Sequence, residues 1–147
     1  LEKDYGSSLE LINKILKGQF PLVPKLGFEV VDVRDVAILH RLAFESPESS
    51  GRRFLCSSGF RWVKEMASFL RDNFPDYRKK ISTIDMPNFL LKIVSFFDGS
   101  VTQFLPDIEL RKEMDISPAR DLLGWEPRTP EEAIDSGARS LIELGIV

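Results

Sequence analysis

Phe28-Glu29-Val30-Val31-Asp32-Val33-Arg34-Asp35-Val36-Ala37 is the stretch on which the fold turns. Phe28, Val30 and Val31 suit a short half-buried strand, whereas Val36, Leu39, Leu42 and Ala43 recur at helical spacing. Between the two patterns, Asp32 or Asp35 is placed to accept from the N–H groups that a new helix leaves without partners. Local chemistry therefore predicts a strand-to-helix corner, and by itself it names no reaction.

Upstream of the corner, Ser7 with Glu10 three residues later predicts a capping box. Leu9, Ile12, Ile15 and Leu16 then mark one apolar face before Gly18 stops the helix. Pro21 and Pro24 bracket a short extended piece. Downstream, Ser46-Pro47-Glu48-Ser49-Ser50-Gly51 is a turn by composition. Phe54 and Cys56 alternate with Arg53 and Leu55, which predicts a strand buried largely on both sides. Residues 61–73 form the next predicted helix, with Trp62, Met66, Phe69 and Leu70 on one side and Pro75 ending it. Tyr77-Arg78-Lys79-Lys80 reads as a solvated basic turn leading to a short strand at 81–84. Pro87 suits the start of a helix whose residues from Phe89 to Phe97 are apolar nearly all round, so that it needs cover on more than one side. Asp115 or Ser117 opens a short helix closed by Gly124. A last helix over 130–144 starts at Thr129-Pro130, with Glu131 and Glu132 favourable to its dipole. The expected class is α/β, mostly helix with a few short strands.

The composition bounds the function from outside. With 147 residues, 43% of them hydrophobic and 29% charged, the chain can build one ordinary core. Twenty basic against twenty-three acidic residues give a net charge of −3, with the basic residues scattered, so no nucleic-acid or membrane-surface partner is expected. The longest apolar runs fall well short of the roughly 18 residues of a membrane span. One histidine, His40, and one cysteine, Cys56, cannot assemble a zinc set, so no metal is expected. A lone cysteine fits a reducing, cytoplasmic setting.

Several of these pieces, taken in order, resemble a known superfamily. Val31-Asp32-Val33-Arg34-Asp35-Val36-Ala37, the helix with His40, Gly51-Arg52-Arg53-Phe54-Leu55, Phe74-Pro75, and Leu122-Leu123-Gly124-Trp125-Glu126-Pro127-Arg128 together resemble the C-terminal half of extended short-chain dehydrogenases/reductases. The branch they look like holds the dihydroflavonol, cinnamoyl-CoA and aldehyde reductases. The resemblance implies the mostly helical, small substrate-binding half of a Rossmann-type reductase, with NADP or NAD as cofactor of the intact enzyme and a small-molecule carbonyl compound as substrate. Such an enzyme also carries a Gly-rich turn for the dinucleotide and a Tyr-x-x-x-Lys pair near a serine. Neither is in this sequence: Leu9 stands four residues after Tyr5, and Ile81 four after Tyr77. Residues 1–147 are therefore expected to be a substrate-binding domain whose dinucleotide-binding Rossmann partner lies elsewhere. No catalytic residue is assigned within it, and no cofactor is expected to bind this chain alone.

The resemblance also nominates residues. Gly6-Ser7-Ser8-Leu9 matches the segment in which a helix-start hydroxyl reaches the dinucleotide phosphates, which marks Ser8 as cofactor-binding. The positive end of a helix supports an anion there, and simple capping by Ser7 or Ser8 is the local alternative. Phe20 and Phe28, with Val23 and Leu26, lie in the stretch matching the apolar wall of the substrate pocket, and Phe89, with Ile93 and Phe97, suits a flap. Core packing is the alternative for each. Asp32, Arg34 and Asp35 read as cap plus salt bridge, or else Arg34 orients an acidic group of the substrate. His40 is expected to be a partly buried structural histidine.

Two functions from different classes follow. The first is the substrate-binding portion of an NAD(P)-dependent oxidoreductase reducing an aldehyde or ketone, with nucleotide-sugar epimerase or dehydratase chemistry as the variant within the same superfamily. The second is a non-catalytic interaction domain on the same scaffold, forming a homo-oligomer through an exposed docking face at the apolar helix.

Overall fold

The computed structural model describes residues 6–90 and 105–147. The helix expected after Pro87 is seen only in its opening residues, 88–90, so its length and all-round apolarity lie outside the described residues, with Ile93 and Phe97. The chain forms two compact units. One comprises Leu1–Gly27, Trp62–Arg111 and Ile134–Val147, the other Phe28–Arg61 and Lys112–Ala133. The observed class is α/β, mostly helix, with one small two-stranded sheet among the described residues.

The second unit is built on the strand-to-helix corner. Strand β1 (Gly27–Val30) precedes the thirteen-residue helix Val33–Glu45, and Asp32 caps that helix by accepting the Arg34 N–H at 2.9 Å. Among the described residues the helices given in full are, in chain order, α1 (Ser7–Leu16), α2 (Val33–Glu45), α3 (Val63–Asn73), α4 (Ser117–Leu123) and α5 (Pro130–Glu143). Leu39 of α2, Ala119 of α4 and Trp125 form the core of this unit, with Leu42, Phe54, Cys56 and Leu123 packed against it. Gly124 closes α4 at φ +62, a conformation costly for any residue with a Cβ, and its N–H reaches the Arg120 carbonyl at 2.9 Å.

Strand β2 (Gly59–Trp62) pairs with β1. The bond from Ser58 N–H to the Val30 carbonyl and that from Val63 N–H to the Leu26 carbonyl show the strands running antiparallel. This corrects the expected strand at Phe54 and Cys56: no strand forms over residues 52–57. Pairing begins only at Ser58, and Phe54 and Cys56 are held by side-chain packing on the Trp125 core instead.

In the first unit, α1 buries Ile12, Ile15 and Leu16, and α3 buries Val63, Met66, Ala67 and Leu70. Gly137 on α5 lies against α1, where a Cβ would stand 2.9 Å from Leu9 Cδ2. The cap of α1 is Gly6, not Ser7: the Leu9 and Glu10 N–H groups bond to the Gly6 carbonyl, so the helix starts one residue before the expected capping box. A reciprocal box forms instead at the start of α5. There the Thr129 N–H donates to Glu132 Oε2 at 2.8 Å, and Thr129 Oγ1 accepts the Glu132 N–H at 3.3 Å.

The strand expected at 81–84 reduces to a single parallel bridge between Val23 and Asp85. Val23 N–H donates to the Ile84 carbonyl and Met86 N–H to the Val23 carbonyl; two residues upstream of Val23, where the next donor on that strand would stand, Pro21 has no N–H to give.

Candidate functional site

A cleft of about 390 Å³ opens in the first unit between Pro24, Lys25, Trp62, Lys64, Glu65, Asp85 and Glu109. Its position follows from local geometry. Trp62 stands immediately before α3 and is fixed there by Glu65, whose carboxylate accepts the Trp62 N–H at 2.9 Å. Lys64 on the first turn of the same helix meets Asp85, just past the Val23 bridge, with Nζ 2.6 Å from Oδ2. On the other side, Lys25 Nζ lies 2.8 Å from Glu109 Oε1, while the Glu109 N–H donates to the Lys25 carbonyl at 2.9 Å.

Glu109 holds φ +59, in the left-handed region that a side chain disfavours. Its double attachment to Lys25 accounts for that conformation. Hydrogen bonding to Glu109 raises the Lys25 ammonium above its ordinary range, and the same bond, helped by Asn88, holds the Glu109 carboxyl below the usual carboxylate range. The cleft thus joins an apolar floor of Pro24 and Trp62 to a rim of two ion pairs. The described residues that line it offer charged and apolar contacts with which a ligand could be bound and oriented.

In the second unit, Asp32, Arg34, Asp35 and Arg128 form a polar cluster. Arg34 Nε and Nη2 reach the two oxygens of Asp32 at 2.8 and 2.5 Å, a fork that, with the backbone N–H of Arg34, depresses the Asp32 carboxyl despite its burial and raises the Arg34 guanidinium. Asp35, 2% exposed, accepts the Arg128 backbone N–H at 2.8 Å and an Arg128 Nη1 bond, while its own carbonyl accepts the indole N–H of Trp125 at 2.9 Å. The cluster is the cap and salt bridge expected at the corner, enlarged by Arg128, a partner 93 residues away.

The nominated residues fall in both units. Ser8 is exposed on the first turn of α1, Phe20 is half-buried, and Phe89 is 63% exposed; these three belong to the first unit. Phe28 is half-buried on β1 in the second unit. None of the four lines the cleft. His40, expected to be partly buried, is exposed, because residue 40 falls on the side of α2 opposite Asp35 and Leu39; its Nδ1 lies 2.8 Å from the Val36 carbonyl. The cleft itself escaped the sequence reading because its walls come from four separate segments, and only Trp62 ahead of a helix stood out locally. Among the described residues, no group of three or more His, Cys, Asp or Glu is placed to hold a metal ion, and no helix is long and apolar enough to cross a membrane.

In fold and sequence the chain is similar to part of the α/β reductases of the extended short-chain dehydrogenase/reductase type, among them cinnamoyl-CoA and aldehyde reductases. Ketoreductase azaE of Aspergillus niger is 36% identical over 90 residues, which make up 61% of this chain and 26% of that protein. Cinnamoyl-CoA reductase 1 of Arabidopsis thaliana is 27% identical over 146 residues, 99% of this chain and 42% of its own length. Among solved structures, yeast methylglyoxal/isovaleraldehyde reductase Gre2 complexed with NADPH superimposes with a TM-score of 0.69 and 26% identity, covering 98% of this chain and 38% of Gre2. The chain thus spans well under half the length of these relatives. No family model matches it.

Proposed function

We propose that residues 1–147 are the C-terminal, substrate-binding half of an NAD(P)-dependent reductase of aldehydes or ketones, and that its dinucleotide-binding half lies in polypeptide outside them. The observation that carries this reading is the match of 98% of the chain to a structure solved with NADPH while covering only 38% of it. The absence from the sequence of a Gly-rich dinucleotide turn and of Tyr-x-x-x-Lys supports the same division, since those groups would belong to the other half. In the joined enzyme, hydride passes from the nicotinamide to the carbonyl carbon and a proton reaches the oxygen from the other half.

This half supplies binding surfaces. Ser8, exposed on the first turn of a ten-residue helix, hydrogen-bonds a cofactor phosphate alongside the helix N–H groups. Phe20, Phe28 and Phe89 contribute apolar wall to the carbonyl substrate, and the cleft beside Trp62 takes the end of the substrate remote from the carbonyl. The setting of such an enzyme is cytoplasmic.

The test is a chimera in which this chain replaces the matching portion of yeast Gre2. Restored NADPH-dependent reduction of methylglyoxal is the expected result. A folded chimera that binds NADPH and reduces neither methylglyoxal nor a panel of aldehydes and ketones overturns the reading.

A further inference from the structure

The charges around the cleft beside Trp62 do not balance. Two lysines, Lys25 and Lys64, line it together with three carboxylates, those of Glu65, Asp85 and Glu109. Lys25 is held by Glu109 and stabilised further by the charge of Asp85, which in turn holds Lys64. These four groups form a run of alternating sign that sums to zero. Both pairs are about half exposed, so each is weakly held and its carboxylate keeps lone pairs open to a ligand. Glu65 is the charge left over. Its Oε2 accepts the Trp62 N–H at 2.9 Å, and among the described residues no cation pairs with it. The positive end of α3 offsets about half an elementary charge there, which leaves the rim net negative.

We infer that this cleft takes an organic ammonium group, so that the substrate is an aldehyde or ketone carrying a protonated amine or a quaternary ammonium at its remote end. This rests on the function proposed above. An indole and a carboxylate that line one cleft act on such a group together. A cation is drawn to the face of an aromatic ring, most strongly to that of tryptophan, and the methyl or methylene groups around its nitrogen bury against Trp62 and Pro24 as an alkyl end would. Glu65 supplies the opposite charge. Other ends are worse served. A carboxylate or phosphate would meet the uncompensated Glu65, and would reach either lysine only by sharing it with Asp85 or Glu109. An uncharged alkyl end would gain the floor and nothing from the rim. The volume of about 390 Å³ is within the range of small-molecule sites.

The experiment compares choline with the alcohol in which a tert-butyl group replaces its trimethylammonium, two probes of one shape that differ in charge. Each is titrated into the chain while the amide NMR signals of Trp62, Lys64, Glu65 and Asp85 are followed. Choline is expected to bind about tenfold more tightly. Glu65→Gln, which keeps an acceptor for the Trp62 N–H, is expected to remove most of that preference. Trp62→Leu, which keeps an apolar floor, is expected to reduce the preference while the uncharged probe still binds. In the Gre2 chimera, an aldehyde ending in trimethylammonium is expected to show a KM about tenfold below that of its tert-butyl counterpart. Equal affinity of the chain for the two probes overturns the inference, and the proposed function stands if the chimera reduces methylglyoxal. A preference that Glu65→Gln leaves unchanged overturns it as well. So does a chimera that reduces methylglyoxal yet shows one KM for both aldehydes, since the cleft then lies outside the substrate site. A chimera that binds NADPH and reduces no carbonyl compound overturns the proposed function, and with it the substrate named here, whichever probe the chain prefers.

Discussion

Arg128 holds Asp35 at two points, through its backbone N–H to Oδ2 at 2.8 Å and its guanidinium to Oδ1, across 93 residues of sequence. The carboxylate is buried, and the guanidinium is about one-third exposed. This asymmetry decides which partner can be spared.

Arg128→Ala leaves a buried carboxylate with only a backbone donor, and breaking a buried pair from one side costs roughly 3 kcal/mol. Asp35→Asn keeps an acceptor for the same N–H and is expected to cost about 1–2 kcal/mol. Urea denaturation of the two variants checks the order. A smaller loss for Arg128→Ala than for Asp35→Asn would refute the account.

Asp32 couples the corner to pH. The Arg34 hydrogen bonds hold its carboxyl below the usual carboxylate range, so the folded state favours the ionised form. A depressed folded pKa contributes stability that is complete above the unfolded value of about 3.9 and disappears as pH falls through the folded value. Asp32→Ala should therefore cost about 1 kcal/mol at pH 7, where the cap is lost, and progressively less below pH 4. Denaturation at pH 7 and at pH 2 tests this, and a deficit of equal size at both would contradict it.

Gly18 and Gly124 sit at φ +70 and +62, yet they should not respond alike to alanine. Nothing lies within 4 Å of a Cβ at Gly124, so Gly124→Ala incurs only the left-handed backbone cost of about 1–2 kcal/mol. At Gly18 the Cβ would stand 2.6 Å from the Lys80 carbonyl oxygen, adding a clash with backbone. Thermal unfolding should rank Gly18→Ala clearly below Gly124→Ala; equal losses would show that the loop at Lys80 yields freely.

Ser8 separates a binding role from a capping one, because Gly6 already occupies the cap of α1. In the chimera, Ser8→Ala is expected to weaken NADPH binding about tenfold, the loss of one hydrogen bond to a charged group, with kcat unchanged. Fluorescence titration of NADPH measures it. Reduced chain stability with unaltered NADPH affinity would return Ser8 to a structural role.

Trp62 tests the cleft. Trp62→Ala removes its apolar floor and is expected to raise KM for an extended aldehyde several-fold while leaving kcat and the KM for methylglyoxal, too small to reach it, unchanged. An equal change for both substrates would place the effect elsewhere.

How far the sequence could be read tracks the range of each interaction. The corner was legible because Asp32 caps through Arg34, two residues on; the end of α3 because Pro75 follows Phe74; the close of α4 because Gly124 supplies its own positive φ. Ser7 misled because the pattern of a cap is satisfied equally well one residue earlier, where the Gly6 carbonyl accepts the first N–H groups. The strand expected at Phe54 failed for a different reason: alternation specifies which side chains face a core, but a strand also needs a neighbour, and none pairs with it among the described residues. The cleft was invisible because Lys25, Lys64, Asp85 and Glu109 are ordinary surface residues until folding pairs them.

The sequence by itself determined the corner at Asp32, the ends of α3 and α4 and which superfamily the chain resembles, since caps, prolines and glycines act within a turn or so of backbone. Only the tertiary structure decided that Asp35 would meet Arg128, that Glu109 would be held at φ +59 by Lys25, and that Phe54 and Cys56 would pack on the Trp125 core. Each depends on segments brought together from far along the chain, where contact is set by packing of the core rather than by any local preference.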